Sequence, residues 1–81
     1  MTLLQTVSVK LTNSQRKSLN ASETMRNLRT RISEGDLVTH VSVERFEAMG
    51  QDKVLVNTDK NVFTWIITPR GRIVGERTAK R

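Results

Sequence analysis

Cysteine is absent from the sequence, so neither a disulfide framework nor a thiolate metal site supplies stability. Histidine occurs once, at His40, which excludes a histidine-rich metal cluster; no Asp or Glu stands at a spacing that suggests a paired role. Aromatic residues make up only 4% of the chain. So few large side chains are needed inside a small core, and Phe63 and Trp65 are expected to be buried there rather than exposed as a platform for nucleic-acid bases. No apolar run approaches the length of a signal h-region or a membrane span, and Met1-Thr2-Leu3-Leu4-Gln5 carries no basic n-region. A cytoplasmic protein that does not enter the membrane is expected. Neither a Gly-x-Ser-x-Gly turn nor a phosphate-cradling Gly-rich loop occurs, and no serine has an evident base and orienting partner. Glu44 and Glu47 point to opposite faces of a strand ending near Phe46, so they read as solvated charges. Binding without catalysis, and without a cofactor or metal, is the expectation.

A chain of 81 residues fits one domain, here 1–76, followed by a basic tail at 77–81. Only 36% of the residues are hydrophobic, which implies a thin core that dimerisation would help to cover.

Acidic residues are the scarcer charge, with eight Asp and Glu against fourteen Lys and Arg for a formal charge of +6. Residues 1–33 carry Lys10, Arg16, Lys17, Arg26, Arg29 and Arg31 against Glu23, a balance of +5. Residues 34–59 carry Arg45 and Lys53 against six acids, a balance of −4, and residues 60–81 return to +5. Two basic ends flank an acidic middle, which favours a polyanionic partner.

Val7, Val9 and Leu11 alternate with polar neighbours, as in a half-buried strand over roughly residues 3–11. Thr12 to Asn20 reads as a loop or an extra helical turn, with Thr12 and Gln15 spaced as a capping box. Asn20 and Glu23 form a second capping pair, opening a helix whose core face is Ala21, Met25, Leu28 and Ile32 and which Gly35 ends. Arg26, Arg29 and Arg31 do not gather into one stripe around that helix, so it reads as a lid on the sheet rather than a groove-reading element.

Period-two patterns follow. Leu37, Thr39, Val41 and Val43 oppose Val38, His40, Ser42 and Glu44; Met49 to Asp52 reads as a turn, Lys53 to Asn57 as a strand and Thr58 to Asn61 as a hairpin connection. Val62 to Thr68 is the most strand-like segment, Pro69-Arg70-Gly71 turns the chain, and Arg72 to Glu76 forms a final short strand before a frayed Arg77–Arg81. The expected fold is α+β: β-α-β-β-β, with one further β, as an antiparallel meander sheet packed on one helix. A single helix covers one sheet face, leaving Val38, Val62, Ile66 and Val74 on the other, where a protein partner or second copy would dock.

The most distinctive short stretch is Pro69-Arg70-Gly71-Arg72, in which a glycine between two arginines allows close approach to a phosphate track. Those four residues resemble the core of the AT-hook, a minor-groove peptide built on Pro-Arg-Gly-Arg-Pro, and depart from it at Ile73. A solvated hairpin tip is the other reading. The charge layout leads to a small nucleic-acid-binding protein of regulatory or accessory kind. Its phosphate contacts are expected from Lys10, Arg16, Lys17, Arg70, Arg72, Arg77, Lys80 and Arg81. The alternative is a protein-binding modulator or inhibitor of a larger complex, of the kind carried by phages and mobile elements.

Overall fold

A computed structural model describes residues 10–81. The strand expected at 3–11 therefore lies outside the described residues except for Lys10, which is in a turn, and Leu11, which is buried in the core.

The polar stretch after Thr12 is a helix, α1 (Asn13–Ala21). Both halves of its capping box form: the Thr12 hydroxyl accepts from the Gln15 N–H at 3.1 Å, and Gln15 Oε1 accepts from the Thr12 N–H at 2.8 Å. Gln15 and Leu19, one turn apart, are its buried residues. Among the described residues, two helices rather than the expected one thus cover the sheet. The second, α2 (Glu23–Ser33), begins after a single extended residue, Ser22, with φ −72° and ψ 152°. Its cap is Ser22 and not the expected Asn20, which is already inside α1. Leu19 accordingly takes the core position expected of Ala21, which is exposed.

The sheet is an antiparallel meander of four strands in chain order, β1 (Val38–Phe46), β2 (Gln51–Thr58), β3 (Asn61–Ile67) and β4 (Ile73–Lys80). The expected α+β class with a meander sheet holds. Gly50 adopts a left-handed φ of 62° after the 3-10 turn Glu47–Met49, so the β1–β2 connection starts earlier than expected and β2 is longer. Alternation along the central strands is strict: Asp52, Val54, Val56 and Thr58 of β2 and Phe63, Trp65 and Ile67 of β3 are buried, with half-buried residues between them. Leu19, Met25 and Leu28 join Val54, Val56, Phe63, Trp65 and Ile67 in one core, with Leu11 at its margin.

Two bulges alter the facing of side chains. Val38 pairs with Thr58 while His40 pairs with Asn57, so Thr39 is extra and Val38 opposes a residue of the helix-covered face. Ile66 pairs with Gly75 while Ile67 pairs with Ile73, which leaves Val74 as the extra residue. Of the four apolar residues expected on the uncovered face, Val62 and Ile66 belong to its ladder, and Leu55 and Ala79 join them. Counting by twos misplaces Val38 because one inserted residue exchanges the faces. The carboxyl-terminal residues also differ from expectation: Arg77–Lys80 are rungs of β4, and the Arg81 N–H donates to the Lys60 carbonyl at 3.0 Å.

Polar bonds close the layers. Gln15 Nε2 donates to Asp52 Oδ2 at 2.7 Å and to the Thr68 carbonyl at 3.1 Å, tying α1 to the sheet. Glu76 Oε1 accepts from the Thr24 N–H at 3.2 Å in the first turn of α2, where a carboxylate suits the helix dipole. The Ser22 hydroxyl accepts from Met25 N–H and from the Trp65 indole Nε1–H, each at 3.0 Å, and donates to the Leu19 carbonyl at 2.9 Å. That uses its one donor and both lone pairs. Ser22→Ala strips the α2 cap and leaves the indole N–H buried without a partner, a loss expected to be about 2–4 kcal/mol. Urea unfolding followed by Trp65 fluorescence measures it, with exposed Thr30→Ala expected to shift stability by about 0.5 kcal/mol or less.

Candidate nucleic-acid interface

The Pro69–Arg72 turn is built by its own backbone and then clamped to α1. The Gly71 N–H donates to the Thr68 carbonyl and the Thr68 N–H to the Arg72 carbonyl, both at 2.9 Å, and the Arg72 N–H donates to Thr68 Oγ1 at 3.1 Å. Gly71 has φ +90°, and a Cβ there would stand 2.6 Å from the Ser14 carbonyl oxygen and 2.7 Å from its carbon. Thr12 Oγ1 donates to the Pro69 carbonyl at 3.0 Å. The glycine therefore serves close approach to the backbone of α1, with the exposed Arg70 and Arg72 side chains flanking that contact.

This clamp assembles one end of the molecule. Lys10 is exposed just before α1, and its carbonyl accepts from the Arg45 guanidinium. Lys17 is exposed one turn after Ser14, and half-buried Arg16 donates to Asn13 Oδ1. Lys10, Arg16, Lys17, Arg70 and Arg72 thus share an end, although about sixty residues of chain separate the first from the last. Of the acids nearby, Asp52 is buried and already holds Gln15 Nε2 at 2.7 Å and Arg45 Nε at 3.8 Å. Glu47 is exposed and lines a depression of about 260 Å³ with Thr12, Arg45 and Pro69.

The remaining three expected residues lie elsewhere. β4 runs away from the turn, and seven steps from Ile73 to Lys80 cover about 23 Å. Arg77 lies midway, opposite Thr64 on the uncovered face. Lys80 opposes Asn61 at the far end, where Arg81 donates to the Thr58 carbonyl at 3.2 Å. Acids balance that end: Lys60 Nζ lies 4.0 Å from Asp36 Oδ1, and Arg31 lies 3.6 Å from Glu34. On α2, Arg29 donates to Asn20 Oδ1 at 3.2 Å, so that helix gathers no open basic stripe with Arg26 and Arg31. Phe63 and Trp65 have no exposed surface, which removes them as stacking platforms.

What the sequence reading missed is the clamp itself. The capping box at Thr12 and Gln15 was its one visible trace, since a real helix start there brings Ser14 and Lys17 into a fixed turn. Compared with known protein families, curated proteins and solved structures, the chain matches none of them. Gly71→Ala is expected to cost about 2–4 kcal/mol, from the left-handed φ and the overlap with Ser14 together, whereas Arg70→Ala leaves stability within about 0.5 kcal/mol. Thermal or urea unfolding of the two variants checks this contrast.

Proposed function

We propose that the chain is a small nucleic-acid-binding protein that tracks phosphates with the end formed by Lys10, Arg16, Lys17, Arg70 and Arg72. The observation that supports this reading is the seating of Gly71 on Ser14, which joins two basic stretches distant in sequence into one cationic end. Lysines and arginines on a turn and a short helix, exposed except for the half-buried Arg16, suit a phosphate backbone, because each contact releases a condensed counterion and needs no base identity. The buried aromatics leave no central stacking surface, so contact with the backbone is the mode this site favours over stacking of single-stranded bases. Arg77 on the sheet face and Lys80 and Arg81 at the far end lie outside that site.

Fluorescence anisotropy of labelled duplex DNA and of single-stranded RNA across a salt series tests the reading. Five phosphate contacts give a slope of log K against log salt of about −4 to −5 on duplex DNA. Replacing Arg70 and Arg72 together with Ala reduces that slope by about 2 and weakens binding equally across sequences. Replacing Lys80 and Arg81 together leaves it nearly unchanged. Absence of binding at low salt, or a slope untouched by the Arg70 and Arg72 changes, overturns the assignment.

A further inference from the structure

The sheet face turned away from the helices is an array of twelve residues, fixed by the strand register. His40, Asn57, Val62 and Ala79 form one row across the four strands; Ser42, Leu55, Thr64 and Arg77 form the next; Glu44, Lys53, Ile66 and Gly75 form the third. Leu55, Val62, Thr64 and Ile66 sit at the centre, half-buried and mainly apolar, inside a polar border. The two outer strands are complementary in size and charge. β1 presents a large, a small and a large side chain in His40, Ser42 and Glu44, while β4 presents a small, a large and an absent one in Ala79, Arg77 and Gly75. The acidic member is on β1 and the basic one on β4.

We infer that this face binds a second copy of the chain, sheet against sheet, about a two-fold axis parallel to the strands. Such an axis lays β1 over the partner's β4 and β2 over its β3, row on row, with the modest rotation usual for aligned sheets. Arg77 then lies over Ser42, His40 over Ala79, and Glu44 over the vacancy above Gly75. That vacancy is a depression of about 370 Å³ lined by Lys53, Thr64, Ile66, Gly75, Glu76 and Arg77. Lys53 and Arg77 make it a receptor for a carboxylate, since the Glu76 carboxylate is turned to the Thr24 N–H on the other face. Leu55 meets Thr64 and Lys53 meets Ile66 between the two outer contacts. The other in-plane axis, running across the strands through the middle row, stacks Arg77 on Arg77 and is disfavoured by like charge.

Strands about 4.8 Å apart and same-face residues about 6.7 Å apart give the twelve-residue array a contact on the order of 400 Å² per copy. A standard interface buries about 800 Å² per partner, so the expected dimer is a weak one, with a Kd on the order of 100 µM. The axis direction also brings both Arg70–Arg72 turns to the same end of the dimer. The dimer itself does not rest on the nucleic-acid reading, because Glu44 and Gly75 lie outside the basic end.

Sedimentation velocity from about 10 µM to about 1 mM tests the inference. Wild-type chain is expected to shift from monomer to dimer over that range. Glu44→Arg alone places Arg against Arg77 at both contacts, and Arg77→Glu alone places Glu against Glu44; each is expected to weaken the dimer roughly 100-fold or more. An equimolar mixture of the two variants restores an opposite pair at both contacts and with it the dimer. Gly75→Val, whose Cβ meets Ile66 at an ordinary 3.8 Å and whose branched side chain suits a strand, fills the receptor and weakens association without a change of charge. Wild-type chain that stays monomeric at the highest concentration, single variants as dimeric as wild type, or a mixture no more associated than its components overturns the inference.

Discussion

The hydroxyl of Ser22 stands where α1, α2 and β3 meet, and the arrangement of the other layers depends on it. A chain with so few large side chains has to place Trp65 fully inside, and a buried indole N–H needs an acceptor. Ser22 supplies that acceptor while capping α2 and closing the end of α1 through the Leu19 carbonyl. The same residue that turns the chain between helices thereby fixes how both helices lie on the sheet. Gln15 repeats the logic about two turns earlier, since its amide reaches Asp52 and the Thr68 carbonyl while its oxygen holds the Thr12 N–H. Thr68 leads directly into the Pro69–Arg72 turn, so the polar anchors of the core also position the basic end.

The two described helices lie on one face, and the opposite face is a regular array with Glu44 toward one edge and Arg77 toward the other. The acidic middle of the sequence supplies Glu44 to β1, and the basic carboxyl-terminal stretch supplies Arg77 to β4. Chain order in a meander is also spatial order, so a charge gradient along the sequence becomes a gradient across the sheet. The amino-terminal basic stretch enters by a different route, through α1 docked beside the β3–β4 turn. Backbone approach at Gly71 is what brings the start of α1 and the Pro69–Arg72 turn together.

Strong alternation made β2 and β3 legible from residues alone, and with them the burial of Phe63, Trp65 and Ile67. The helix after Asn20 was legible from Met25, Leu28 and Ile32, but α1 was not, because its buried stripe is only Gln15 and Leu19 and its composition is that of a loop. Its cap carried the missing information. The bulge at Thr39 leaves no mark in a period-two pattern, so the facing of Val38 was lost with it. Arg77–Lys80 read as a tail because two of the four are charged and only Thr78 favours a strand; pairing with β3 rather than propensity makes them one. The eight basic residues chosen from charge alone divide five to one end, one to the sheet face and two to the far end, a division that only the topology determines.

Hydrogen exchange at the Trp65 indole N–H reads the central anchor most directly, because the chain has a single tryptophan and hence a single indole resonance. If Ser22 joins both helices to β3 as described, that proton exchanges only when the whole domain unfolds, with protection equal to the slowest backbone amides of β2 and β3. An indole that exchanges as fast as the amides of exposed turns would show that the helices leave the sheet independently, and would contradict the account.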